Sequence, residues 1–383
     1  DPENRVAIAK AGAVPELVKQ LEMGSEKAMG MAASGLALLA LKSAEHRATV
    51  TQELVKLLGS SKAAVRQRAS EALSDMSADD NPSSKKSVSA GSGVPLVNLL
   101  KDGLKDGRVE AQEYALRSLL AISDTASKEA IVEAGCINPL ITALELGKLS
   151  AIAQEHAAAV LSGLAPIGDN AIAIKDAKGI DPLVKLLSEG NSDAKEHAAD
   201  TLAQLALRAE AANDIAKAGA VSAFVKWLAN PSLGPPEVAA RALSEIALDN
   251  QDTQVQISEE GAISPLVAMV GVSTATPPGE TASALAAALK VSNVAAGTLA
   301  TLAKDNIVNQ IMITEEHGIP PLVELLKSKT GSHKVDSYEN ATKALWHLAE
   351  TEDNQAAIAK AGGIAPLVSL LTSESGETQQ YAA

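Results

Sequence analysis

Asn354–Leu371, NQAAIAKAGGIAPLVSLL, holds two short helical patterns hinged at Gly362 and Gly363. Near the start the same phrase reads NRVAIAKAGAVPELVKQL. Further copies are KEAIVEAGCINPLITAL, NAIAIKDAKGIDPLVKLL, NDIAKAGAVSAFVKWL, VQISEEGAISPLVAMV and MITEEHGIPPLVELL. One apolar mark recurs at Leu17, Leu54, Leu96, Leu140, Leu183, Phe224, Leu266, Leu322 and Leu367, at gaps of 37, 42, 44, 43, 41, 42, 56 and 45 residues. That period belongs to solenoid repeats of two or three helices.

Each copy has the same internal logic. Glycine takes the backbone conformation that ends a short first helix; Gly179 and Gly261 are predicted at such positive-φ sites. Proline then falls in the first turn of the second helix, where its missing N–H costs nothing. Third helices repeat small apolar residues, as in HAAAVLSGLA and VAARALSEIA. Apolar positions on more than one face suit a stacked layer. Residues 1–383 therefore read as a single all-α solenoid with repeats at 3–43, 44–79, 80–125, 126–168, 169–209, 210–251, 252–306, 307–353 and a partial 354–383. Repeat two, EHRATVTQELVKLL, lacks both bend glycine and proline. Repeat three opens on a polar loop, NPSSKKS, bends at AGSGVP and carries a long loop at KDGLKDGR. Repeat seven carries the insertion GVSTATPPGETASALAAALK, whose last residues extend the third helix or form an extra turn. The start at Asp1 and the stop at Tyr381-Ala382-Ala383 read as those of a segment from a longer protein.

Net charge is −14 and the pI is about 5.0. Nucleic-acid binding needs clustered positive charge, so basic peptides or basic protein patches are the better-matched partners. Cys136 is the sole cysteine and reads as a small buried apolar residue. It admits no internal disulfide or zinc cluster, which suits a reducing compartment, cytoplasmic and also nuclear. The sequence shows no signal peptide and no apolar run near 18 residues, so no membrane insertion is expected. His156 and His197 hold equivalent places in adjacent repeats, but packed helices lie ~8–10 Å apart and no cysteine or third histidine joins them. No metal, cofactor or catalytic site is assigned: GxxxxGK[ST], GxGxxG, HExxH and GxSxG are all absent from the sequence.

The bend motifs KAGAV, EAGCI, EEGAI and KAGGI, followed by PLVxLL and then AAxxLxxLA, resemble the armadillo-repeat family over essentially the whole chain. The resemblance implies a right-handed superhelix whose third helices line a concave groove for extended peptides or partner proteins, and a scaffold rather than an enzyme. In importin-α-like members the third helix presents a Trp and, four residues later, an Asn that clamps peptide backbone. Here the first position reads Ser34, Glu71, Arg117, Ala159, Asp200, Arg241, Gly297 and Trp346. The second reads Leu38, Asp75, Ala121, Gly163, Gln204, Glu245, Thr301 and Glu350. Only Trp346 matches, which speaks against standard import-receptor activity. About one turn earlier lie Met31, Arg68, Tyr114, His156, His197, Val238, Val294 and Lys343.

The candidate groove residues are thus Arg68, Glu71, Asp75, Tyr114, Arg117, His156, His197, Asp200, Gln204, Arg241, Glu245, Lys343, Trp346 and Glu350. Charges at i,i+3 and i,i+4 pair with one another or with a partner, and both readings stay open. Trp346 is a hot-spot candidate, or else packs between repeats. Phe224 and Trp227 read as core or back surface. The leading reading is a non-enzymatic interaction scaffold for a protein or peptide. Alternatives are a divergent nuclear-transport adaptor, the substrate-recognition segment of a larger protein such as a ubiquitin ligase, and an assembly module stacking end to end. Oligomeric state is open.

Overall fold

The computed structural model describes residues 2–41, 44–77, 82–121, 125–145, 147–272, 282–327 and 334–383. The described residues are helical with no strand, and form two compact units, 1–201 and 202–383. In unit 1, repeat one supplies α1 (Pro2–Lys10), α2 (Ala13–Met23) and α3 (Glu26–Ala40). Repeat two has only α4 (Ala44–Leu58) and α5 (Ala63–Ser77), and repeat three only α6 (Pro82–Asp106) and α7 (Val109–Leu120). Then follow α8 (Thr125–Glu133), α9 (Ile137–Ala143) and α10 (Ala151–Leu164), and α11 (Asn170–Asp176), α12 (Ile180–Glu189) and α13 (Ser192–Ala206), which runs into unit 2. Unit 2 continues with α14 (Ala209–Lys217), α15 (Ala220–Ala229), a 3-10 turn Pro231–Leu233 and α16 (Pro236–Ala247). Next are α17 (Gln251–Glu259), α18 (Ile263–Val270) and α19 (Ala282–Ala303), then α20 (Ile307–Glu315), α21 (Ile319–Lys327) and α22 (Lys334–Leu348). Last come α23 (Glu352–Lys360), α24 (Ile364–Leu370) and α25 (Gly376–Ala382).

The bend that defines the repeat is a Schellman turn. At Gly261, φ is 90°; its N–H donates to the Ser258 carbonyl at 3.0 Å, and Ala262 N–H reaches the Ile257 carbonyl at 3.2 Å. Gly179 departs from the reading of its sequence. Its φ is −73°, and the left-handed residue is Lys178, with φ 64°. His317 before Gly318 repeats this arrangement with φ 59°. Glycine at 179 is instead required by space. A Cβ there would lie 2.8 Å from Ile174 Cγ2 and 2.9 Å from the Ile174 carbonyl oxygen. Because a left-handed lysine is strained by roughly 1 kcal/mol, Lys178→Gly is expected to be neutral to slightly stabilising in urea denaturation. A clear loss of stability would contradict the assignment.

Repeat three corrects three expectations. The segment NPSSKKS from Pro82 onward is helical (Asn81 lies outside the described residues), and α6 passes straight through AGSGVP with Pro95 inside it. Glycine permits a left-handed bend without imposing one. The supposed long loop KDGLKDGR shrinks to Gly107 and Arg108: Gly107 has φ 68°, and Arg108 N–H donates to the Gly103 carbonyl at 2.9 Å, so this glycine ends the helix. In repeat seven, SALAAALK does extend the third helix as the start of α19. The Pro/Gly/Thr-rich part, 273–281, lies outside the described residues. Within α19, Ser283–Ala303 is long and apolar enough by length and composition to cross a membrane, contrary to the expectation that no such run exists. It carries Lys290 and Asn293 and packs against α16, α18 and α22, with Ala295, Ala296, Leu299 and Leu302 buried.

Third helices form the layer that carries the candidate residues. In unit 1, α3 packs on α5, α5 on α7 and α7 on α10; in unit 2, α16 packs on α19, α19 on α22 and α22 on α25. Small residues let these helices approach closely enough for hydroxyls to bond neighbouring backbone. Ser118 Oγ donates to the Ser70 carbonyl at 3.1 Å, and Thr298 Oγ1 to the Ala240 carbonyl at 3.0 Å. Side chains two positions before the candidate residues fix each helix to the chain just before it, in a loop or in the last turns of the preceding helix. Arg66 donates to the Ser60 carbonyl at 2.8 Å, Gln112 to Gly103 at 2.9 Å and Gln154 to Glu145 at 3.2 Å. Phe224 and Trp227 are core, their ring centroids 6.4 Å apart. Cys136 is fully buried, and burial pushes its thiol up to about 12, which makes it a packing residue and not a nucleophile.

Candidate functional site

In unit 1 the expected residues come together across α5 and α7. Arg68 donates to Glu71 Oε2 at 2.7 Å, and that hydrogen bond raises the guanidinium pKa despite partial burial. Tyr114 lies against the same carboxylate. Burial raises its phenol first, and the charge of Glu71 and a hydrogen bond to it push the same way. Asp75 meets Arg117 at only 3.8 Å, too long for a hydrogen bond. Burial raises the Asp75 carboxyl more than Arg117 lowers it. His156 on α10 is half-buried; burial lowers its pKa, against an upward pull from Glu155. His197 and Asp200 are half-buried on α13, where Gln204 belongs to unit 2. On α3, Glu26, Lys27, Gly30, Ser34 and Gly35 line a hollow of about 480 Å³ with Met31, Leu38 and the Arg68 side chain; Met31 and Leu38 are exposed.

In unit 2, Arg241 is exposed and Glu245 half-buried on α16. Burial raises the Glu245 carboxyl, and Arg241 pulls it back down. Repeat eight needs a register correction. Superposing Ala341, Leu345 and Leu348 on Ala239, Leu243 and Ile246, all buried, places Lys343 at the position of Arg241 and His347 at that of Glu245. Trp346 then corresponds to Ser244, three residues away from the position matched to the importin-type tryptophan. The indole suggests the first position by its chemistry, whereas the buried Leu345 and Leu348 fix the register. Trp346 is half-exposed, 5.6 Å from the Tyr381 ring, and Lys343 Nζ lies 5.7 Å from the same ring. Tyr381 was missed, although Tyr381-Ala382-Ala383 carries the phase of His156-Ala157-Ala158. Glu350 lies beyond the end of α22 and is engaged within repeat eight: it accepts from Gln310 Nε2 at 2.7 Å and faces His347 Nδ1 at 3.5 Å.

The buried amides of unit 2 serve inter-repeat packing and not a groove ladder. Asn309 Nδ2 donates to the Gln254 carbonyl at 3.2 Å and to the Leu302 carbonyl at 2.9 Å. Beside them, Leu207, Leu248, Asp249, Asp252, Lys304 and Asp305 line a cavity of about 620 Å³, with Lys304 donating to Asp249 at 2.6 Å. Among the described residues no group of three His, Cys, Asp or Glu is placed to hold a metal ion.

Two histidines give a pH prediction. Burial depresses both His156 and His347. A depressed histidine contributes stability present above its ordinary value of ~6.5 and lost as pH falls through the folded value. Urea midpoints should therefore fall between pH 7.5 and 5.5, and His156→Gln with His347→Gln should reduce that fall. An equal fall in the double variant would contradict it. Asp75 and Glu245 are raised, so they act oppositely: their contribution is present below the ordinary carboxylate value and is lost as pH rises through the folded one.

The armadillo/beta-catenin-like repeat family matches residues 169–207 and 351–383. An engineered protein of known crystal structure is 30% identical, with TM-score 0.77, over 97% of this chain and 87% of its own. A second engineered protein is also 30% identical, with TM-score 0.54, over 64% of this chain and 93% of its own. A designed armadillo repeat protein shares the fold at 24% identity and TM-score 0.55, over 64% of this chain and 96% of its own. No match was found among curated protein sequences. The chain belongs to the armadillo-repeat family, an α-solenoid scaffold that commonly mediates protein interaction.

Proposed function

We propose that this chain is a non-enzymatic scaffold that binds a basic peptide or a basic patch of a protein partner on the exposed face of its third helices. One observation carries this reading: on that face Asp75 and Glu245 hold half-buried carboxyls that burial raises, each with only an imperfect or partial cationic offset. Partial desolvation that a neighbouring cation offsets only in part leaves a carboxylate ready to gain from an incoming lysine or arginine. Arg68, Glu71, Tyr114 and Arg117 supply neighbouring polar contacts, and His156, His197, Asp200, Gln204, Arg241, Lys343 and Trp346 extend the face in each unit. Net charge of −14 favours the encounter with a basic partner. The scaffold acts in the cytoplasm and nucleus, where its free thiol stays reduced.

The experiment is a titration with an extended Lys/Arg-rich peptide and with an Asp/Glu-rich peptide of equal length. Saturable binding of the basic peptide alone, weakened by salt, is expected. Absence of saturable binding, or equal binding of both, would overturn the proposal.

A further inference from the structure

Repeat eight departs from its neighbours on its first helix. The buried isoleucines Ile215, Ile257, Ile313 and Ile358 align the first helices of repeats six to nine. The place of Val308 on α20 is then taken by Glu210, Asp252 and Asp353 in repeats six, seven and nine. That of Ile307 is taken by Ala209, Gln251 and Glu352. An acidic residue in the first turn gains from the helix dipole. Repeat eight forgoes that gain and presents Ile307, Val308 and Ile311 at 62%, 56% and 48% exposure. Both neighbouring repeats are in place around α20. Asn309 Nδ2 donates to the Gln254 carbonyl at 3.2 Å on one side, and Thr314 Oγ1 to Asn354 Oδ1 at 2.8 Å on the other.

The patch adjoins the cavity of about 620 Å³. Two open leucines line that cavity, Leu207 and Leu248, 52% and 46% exposed, each the first residue past a third helix. Asp305, two residues before Ile307, lines it together with Asp249 and Asp252. Against these three carboxylates the lining residues offer one ammonium, Lys304, and it is engaged by Asp249 at 2.6 Å. Gln251 Nε2 donates to the Asp305 carbonyl at 2.9 Å, which holds the rim to the repeat before. An exposed apolar patch rimmed by polar residues marks an interaction site, and acidic rims select cationic occupants.

We infer that this edge of unit 2 docks a basic amphipathic helix of a partner protein. Its apolar side rests on Ile307, Val308 and Ile311 and fills the hollow beside Leu248, and its lysines or arginines meet Asp252 and Asp305. Such a helix carries apolar residues along one side with cations beside them, which is the combination this surface complements. Anionic lipid headgroups would be repelled by the same carboxylates. The edge is separate from the third-helix face and from Asp75 and Glu245.

The test is calorimetric titration with a helix-forming peptide of leucine, lysine and alanine, about 18 residues long, its leucines at i, i+3, i+4 and i+7. A scrambled peptide of the same composition is the control. The 383-residue chain carries Asp75→Lys and Glu245→Lys, so that the third-helix face does not contribute. The amphipathic peptide should bind saturably, and the scrambled one at least tenfold more weakly. Adding Ile307→Gln with Ile311→Ala, which copies Gln251 and Ala356 of the neighbouring repeats, should leave melting unchanged and cost at least tenfold in affinity. Asp252→Asn with Asp305→Asn should weaken binding and flatten its salt dependence. Undiminished affinity in the Ile307→Gln, Ile311→Ala chain, equal binding of the scrambled peptide, or no saturable binding would overturn the inference. Occupation by a second copy would overturn it too: mass would then rise with concentration without peptide, and Ile307→Gln with Ile311→Ala would abolish the rise.

Discussion

Phe224→Ala is expected to lower the stability of unit 2 by about 3–5 kcal/mol. The side chain is fully buried, and its ring lies 6.4 Å from that of Trp227. It fills the mark position that eight other repeats give to leucine. Removing the ring leaves a cavity, because the wall behind it is set by Trp227. That indole in turn is held against Gly234, where a Cβ would come within 2.4 Å of its Cζ2. Phe224→Leu restores the residue used elsewhere and should cost less than about 1.5 kcal/mol. Urea denaturation followed by tryptophan fluorescence measures both. A loss below about 1 kcal/mol for alanine would place Phe224 at a surface after all.

Gly179→Val should cost about 1–3 kcal/mol through crowding, for a reason different from that at Gly261. At 179 the backbone is ordinary, and the obstacle is Ile174, its side chain and its carbonyl. At 261 a Cβ meets nothing within 4 Å, and the obstacle is φ of 90°. Asparagine tolerates the left-handed region, so Gly261→Asn should be nearly silent and Gly179→Asn should be damaging. The repeats already show the compromise. Where the residue is glycine, the closing hydrogen bond is 2.9 Å at Gly179 and 2.8 Å at Gly318. Where it is cysteine or alanine, the bond opens to 3.1 Å at Cys136 and 3.2 Å at Ala262. Gly179→Ala should therefore be milder than valine. Equal thermal shifts for asparagine at both sites would contradict this division.

These contrasts show what the sequence could and could not disclose. The helix–bend–helix phrase was legible because the mark leucines and bend glycines recur in phase over the whole chain. Which of two adjacent residues turns left-handed was not, since Lys178-Gly179 and Gly362-Gly363 look alike until the carbonyl of the preceding isoleucine is located. The fusion of repeat three into one helix was hidden because glycine allows a bend without requiring it. On the third helices, Arg68 with Glu71 was legible from its i,i+3 spacing, whereas the approach of Arg117 to Asp75 joins two helices and no local spacing displays it. Trp346 was drawn to the wrong register by its chemistry, and Glu350 by being counted as if the helix continued past Leu348. The meeting of Tyr381 with Lys343 and Trp346 depends on packing between α22 and α25, which no local pattern displays.

The central claim is that half-buried carboxylates on the third-helix face receive a basic partner. Its most direct test is calorimetric titration of the basic peptide into Asp75→Lys, Glu245→Lys and the double variant, each with parental circular dichroism. The account predicts at least a tenfold loss of affinity in the double variant, equivalent to about 1.4 kcal/mol or more. Parental affinity in the double variant would contradict it.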